Sequence, residues 1–129
     1  MVAMPCRRRH YVKVVVAGKY LAPQWLTMDA TVECLLRAVP ASVPGIALLS
    51  GGQPGELGSA RLNAINVRSR SRLPWALSFS FARAIQQPAL EIWQGKENNV
   101  LAAQHALNHR AGSNRAARRE EYTAALEKT

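Results

Sequence analysis

Apolar and polar positions follow two different periods along this chain, and the changes of period divide it into strand and helix candidates. Tyr11-Val12-Lys13-Val14-Val15-Val16 is rich in β-branched residues and predicts a strand. Gly18 and Pro23 bracket a loop. From Thr27, Val32, Leu35, Leu36 and Val39 recur at i, i+3, i+4 and i+7, which predicts a helix that Pro40 ends. Ile46-Ala47-Leu48-Leu49 is a short apolar run between Pro44-Gly45 and Ser50-Gly51-Gly52. A run this short does not separate strand from buried helix by period alone. The flanking turn residues favour a strand buried on both faces.

A helix is expected over about residues 56–66, followed by a basic loop at 67–73 in which Arg68, Arg70 and Arg72 alternate with other residues. Pro74 opens a second strict alternation. Trp75, Leu77, Phe79 and Phe81 fall on one face, and Ala76, Ser78 and Ser80 on the other. Large residues on one face predict a helical layer there. Small hydroxyl-bearing ones on the other predict a crowded interior, such as the inside of a small barrel. A short helix follows over about residues 87–94, with Pro88 in its first turn and Gly95 as its stop. A longer one is expected over about 97–110, and the tail from Gly112 reads as a marginal helix or an ordered arm.

Strand and helix alternate throughout, which predicts an α/β fold with parallel strands. In such a fold the ends of the strands at Ser50 and Ser80 share one edge, with Arg83 just beyond. Paired glycines at a strand's C-terminal end let backbone N–H groups approach a ligand closely. Taken alone, Ser50-Gly51-Gly52 fits either an anion cradle or a plain strand-to-helix turn.

Composition changes this picture in two ways. The formal net charge is +9 over 129 residues, with arginine clusters at 7–9 and 110–119. Such a balance suits a phosphorylated ligand, a nucleic acid or a membrane surface. No recognition-helix pattern accompanies the arginines, so nucleic acid is not the expected partner, and no run reaches the ~20 apolar residues of a membrane span. The two cysteines, Cys6 and Cys34, lie far apart without metal-ligand spacing and imply no disulfide framework, which points to a reducing setting; with the only early apolar stretch too short for a signal-peptide core, the chain reads as cytoplasmic, and no metal or cofactor is expected.

Several long stretches resemble one family in order and spacing. Leu36-Arg37-Ala38-Val39-Pro40-Ala41-Ser42-Val43-Pro44-Gly45-Ile46-Ala47-Leu48-Leu49-Ser50-Gly51-Gly52-Gln53 is similar to the penultimate strand region of class I fructose-bisphosphate aldolases. Leu62-Asn63-Ala64-Ile65-Asn66 resembles the helix that follows. Pro74-Trp75-Ala76-Leu77-Ser78-Phe79-Ser80-Phe81-Ala82-Arg83-Ala84-Ile85-Gln86 resembles the last barrel strand and its loop, and Trp93-Gln94-Gly95-Lys96-Glu97-Asn98 continues the likeness. The resemblance covers about residues 28–122.

It implies the C-terminal portion of an eight-stranded βα (TIM-type) barrel, incomplete in this chain, since a full barrel takes ~250 residues. The expected organisation is a basic segment at 1–22 with one possible strand, the last βα units at 23–111, and a C-terminal arm at 112–129. The family cleaves fructose 1,6-bisphosphate to dihydroxyacetone phosphate and glyceraldehyde 3-phosphate through a lysine Schiff base, without metal. By the resemblance, Ser50, Gly51, Gly52, Ser80 and Arg83 bind a substrate phosphate, and Lys13 is the only candidate for the Schiff-base lysine. The implied partner is a phosphorylated sugar, and full-length members are usually homo-oligomers.

Two departures stand out. Ala82 replaces a family glycine, where an alanine crowds the phosphate or is strained if positive φ is needed. The strand around Lys13 lacks the family's Pro-Asn pair. The expectation is therefore a truncated piece that is inactive alone, with a non-catalytic phosphate-binding remnant as the alternative and a small basic nucleic-acid-binding protein as a distant third.

Overall fold

A computed structural model describes the backbone of residues 12–15 and 24–128, and the side chains of residues 29–128. The basic run at 1–10, the loop between Gly18 and Pro23, and the side chain of Lys13 lie outside the described residues.

Three strands, β1 (Val12–Val15), β2 (Gly45–Leu49) and β3 (Ala76–Phe79), form a parallel sheet in the order β1-β2-β3. Helix α1 (Gln24–Ala38) connects β1 to β2, and α2 (Gly55–Ser69) connects β2 to β3. Helices α3 (Arg83–Trp93) and α4 (Val100–Arg118) follow, and a 3-10 turn at Ala124–Lys128 closes the described chain.

The register explains the alternation. Ile46 pairs with Leu77 and Leu48 with Phe79, whereas Gly45 pairs with Ala76 and Ala47 with Ser78. One face of the sheet therefore carries Ile46, Leu48 and Leu77, all but fully buried. They pack with Val32 and Leu35 of α1 and Leu62 and Ile65 of α2, and Ala117 of α4 belongs to the same cluster. Each such aliphatic side chain contributes about 2 kcal/mol on burial. On the other face Ala76 is exposed, and Ala47, Leu49 and Ser78 keep partial exposure. Trp75 enters the core from the start of β3, and its indole N–H donates to the Pro40 carbonyl at 2.9 Å.

Several boundaries differ from the sequence expectation, each for a physical reason. The basic loop at 67–73 is largely helical: α2 runs on to Ser69 and a 3-10 turn spans Arg70–Arg72. Arg68, Arg70 and Arg72 each find a carboxylate, on Asp29, Glu120 and Glu33 respectively. Helix α3 begins at Arg83, so Pro88 sits inside it rather than in its first turn. Helix α4 passes through Gly112, because Ser113, Asn114 and Ala117 beyond it are buried. It ends with Glu120 in the left-handed region at φ 68°. There Glu121 N–H reaches the Ala116 carbonyl at 2.9 Å and Glu120 N–H the Ala117 carbonyl at 3.4 Å. This is the bonding of a Schellman end.

Candidate functional site

Strands β2 and β3 end side by side, because the parallel ladder continues one step past β3: Ser80 N–H donates to the Leu48 carbonyl at 2.8 Å. Ser50 and Ser80, both partly buried, thus close neighbouring strands at the same edge of the sheet. After Ser50 the chain reverses through Gly51 and Gly52, at φ 60° and 80°, and Gln53 N–H closes the turn on the Ser50 carbonyl at 3.1 Å. Positive φ at both central residues is the pattern of a type I′ turn, which glycine adopts without a Cβ penalty. Gly51 and Gly52 are exposed.

Arg83 is the first residue of α3 and is also exposed. Its guanidinium lies against the turn, 3.8 Å from where a Cβ of Gly52 would stand. Ala82, just before it, has φ −96°. The positive-φ strain considered for an alanine at this position is therefore absent, while its ψ of −88° lies just outside the main α region. No side chain caps α3, and the Ala82 carbonyl accepts from Ile85 and Gln86 N–H at 3.0 Å each. The amides of Arg83 and Ala84 begin a helix whose N-terminus carries about half a positive charge. The edge thus gathers a guanidinium, a positive helix end, two serine hydroxyls and a glycine turn, a donor set that suits an anion.

Ser50, Gly51, Gly52, Ser80 and Arg83, read from scattered parts of the sequence, are brought together here. Lys13 is placed only by its backbone, which pairs with Ala47 in the row that also holds Ser78. Among the described residues no group of His, Cys, Asp or Glu is arranged to hold a metal ion. No described helix is long and apolar enough to cross a membrane.

A cavity of about 550 Å³ opens beside the edge, lined by Gly52, Gln53, Gly55, Arg83, Gln87 and Arg110 among others. Sequence reasoning missed two of these residues. Gly55 begins α2, and a Cβ there would lie 2.5 Å from the Ala84 carbonyl and 2.8 Å from Arg110 Nε. Pro88, having no N–H, leaves that Ala84 carbonyl without its usual helical donor. Arg110 is buried, ion-paired with Glu127 and donating to Ser59 Oγ at 2.7 Å. The Ser59 hydroxyl in turn lies 2.9 Å from Asn114 Oδ1, and Asn114 Nδ2 donates to the Arg110 carbonyl at 3.0 Å. Glu127 also accepts from the Tyr122 hydroxyl at 2.8 Å. Burial, then the hydrogen bond to Glu127 and its charge, push the Tyr122 hydroxyl up to about 12, with Arg110 opposing. No local pattern in the sequence marks Arg110, because its partners Ser59 and Glu127 lie far along the chain in both directions.

The known proteins this chain is similar to agree on one family. The sequence model described as "Fructose-bisphosphate aldolase class-I", of the glycolytic aldolases, matches residues 12–129. A cytoplasmic isozyme of fructose-bisphosphate aldolase from Pisum sativum is 49% identical over 114 residues, covering 78% of this chain and 32% of the relative. Fructose-bisphosphate aldolase B from Sparus aurata is 51% identical over 104 residues, covering 81% of this chain and 28% of the relative. Among solved structures, a Plasmodium falciparum fructose-bisphosphate aldolase, crystallised with TRAP and a small-molecule inhibitor, superposes with a TM-score of 0.79 at 38% identity. That match covers 88% of this chain and 34% of the other. The chain thus spans about a third of the length of the relatives it matches. The likeness places its α/β architecture in the βα-barrel (TIM) class, and with the matched residues it shows that the chain belongs to the class I fructose-bisphosphate aldolase family.

Proposed function

We infer that this chain carries one phosphate-holding edge of an aldolase-type site and does not itself cleave fructose 1,6-bisphosphate. It corresponds on this reading to the last βα units of a barrel that is incomplete here. The ligand is a phosphorylated sugar, in keeping with the cytoplasmic setting that the sequence suggests. Its phosphate sits between the Gly51–Gly52 turn and the start of α3, held by backbone N–H groups, by the Ser50 and Ser80 hydroxyls and by Arg83. The observation that carries this reading is the approach of the Arg83 guanidinium to Gly52 at the end of two adjacent parallel strands. Phosphate sites after the last two strands recur in βα barrels.

Cleavage in this family needs more than a phosphate grip. A lysine amine attacks the substrate ketone and expels water, and the resulting iminium takes up the electron pair when the carbon–carbon bond breaks. A carboxylate must move the protons. Lys13 on β1 is the candidate nucleophile, and among the residues lining the adjoining cavity Glu56 is the only carboxylate. Binding without these groups lowers no barrier, since catalysis requires interactions stronger in the transition state than in the ground state. The alternative of a remnant that binds phosphate and performs no chemistry rests on the same donor set.

The deciding experiment incubates the protein with fructose 1,6-bisphosphate and borohydride. Weak, salt-sensitive binding lost in Arg83→Ala, with no covalent adduct, is the expected result. Trapping at Lys13 together with turnover that disappears in Lys13→Met would overturn the inactive reading, and binding unchanged by Arg83→Ala would overturn the phosphate edge.

A further inference from the structure

The opposite end of the sheet carries a second concentration of positive charge. Arg70, Arg115, Arg118 and Arg119 line a groove of about 480 Å³, with Glu121 as its only acidic lining residue. Arg70 and Arg118 also line an adjoining cavity of about 330 Å³ against Trp75 and Ala76 at the start of β3. Arg83 lies beyond the other end of that strand. Among the described residues no ion pair is made by Arg115, Arg118 or Arg119, and all three are exposed. Arg70 pairs with Glu120, which the left-handed end of α4 turns toward it. Counting Glu120 with Glu121, four arginines face two carboxylates, a surplus of +2 within one concavity.

The C-terminal dipole of α4 does not account for this surplus. A helix end carries about half an elementary charge, which a single arginine offsets. Guanidinium groups converging on a concavity of ligand size match phosphate oxygens, to which each can donate two hydrogen bonds. The groove's lining includes no aromatic residue, and the Trp75 ring beside it is buried, so it offers no platform for stacked bases. We propose that this groove is a second anion site, taking a compact, multiply phosphorylated small molecule, and that it works independently of the Arg83 edge.

The test titrates inorganic tripolyphosphate into the full chain by calorimetry. The parent is expected to bind, with affinity falling as salt rises. The triple variant Arg115→Gln, Arg118→Gln, Arg119→Gln should bind at least about tenfold more weakly. Glutamine is a good helix former and the three side chains are exposed, so helical circular dichroism should be unchanged. Glu121→Gln should bind more tightly, a gain that misfolding cannot produce, and every comparison is made in the Arg83→Ala background so that the first phosphate edge does not contribute. Absence of binding in that background, equal binding by the triple variant, or tighter binding per phosphate of single-stranded oligouridylate would each overturn the proposal.

Discussion

The Arg83 guanidinium stands over Gly52, with 3.8 Å between its Nη2 and the place a Cβ would occupy. That distance is an ordinary contact, so a methyl group there meets no steric bar from the arginine.

Substitutions at the two glycines flanking the edge should therefore differ in kind. Gly52→Ala places a methyl at φ 80° in ordinary contact with Arg83, and its cost should be the left-handed strain alone, about 1 kcal/mol. Gly55→Ala drives a methyl to within 2.5 Å of the Ala84 carbonyl, a backbone atom that cannot step aside alone. We expect about 3 kcal/mol there, as for other overpacked sites. Urea midpoints of the two variants compare them directly; equal losses would remove the distinction.

The buried pair of Arg110 and Glu127 should show coupling in a double-mutant cycle. Glu127→Ala leaves a guanidinium that is almost fully buried without its carboxylate, and should cost about 3 kcal/mol. Arg110→Met combined with Glu127→Leu should cost less than Glu127→Ala alone, because neither charge is then stranded. Additive losses in the cycle would contradict this arrangement.

Tyr122 predicts an alkaline transition. Its hydroxyl is raised from 10.0 to about 12, so the folded chain holds this proton more tightly than the unfolded chain does. Its contribution to stability is complete below pH 10 and is lost as pH rises through about 12. Difference absorbance of the phenolate should show one late-ionising tyrosine that disappears in Tyr122→Phe. A titration of all tyrosines at their ordinary value would count against the contact with Glu127.

The sheet arrangement predicts self-association. Among the described residues β3 has no partner on its outer side, and Ala76 on it is exposed. Unpaired strand edges recruit other chains. Ala76→Lys should shift sedimentation toward the monomer while changing stability by no more than about 0.5 kcal/mol. Identical sedimentation of parent and variant would point to another surface.

The central architecture was legible in the sequence because it depends on local signals. Strict alternation at 75–81 identified the two faces of β3, and Ser50-Gly51-Gly52 marked where β2 stops. That Ser50 and Arg83 lie at one end of the sheet followed from parallel pairing, whereas their phosphate-binding role was implied by the resemblance. What escaped depends on partners distant in the chain. Arg68 and Arg72 look like loop residues until Asp29 and Glu33 on α1 come alongside. Gly112 looks like a helix stop, yet it faces open space while its neighbours Ser113 and Asn114 are buried. Pro88 looks like a first-turn residue, and only the position of Gly55 shows what its missing N–H leaves room for.

The meeting of Gly55, Ala84 and Arg110 makes a mechanical joint. Three helices bear on one another at a point with no room for a methyl group, and α3, whose first residue is Arg83, is one of them. Arg110 is braced in turn by Glu127, close to the end of the chain. The residues of the Ala124–Lys128 turn therefore act as a strut. Loosening them would let α4 shift and α3 with it, changing the reach of an arginine that they never touch.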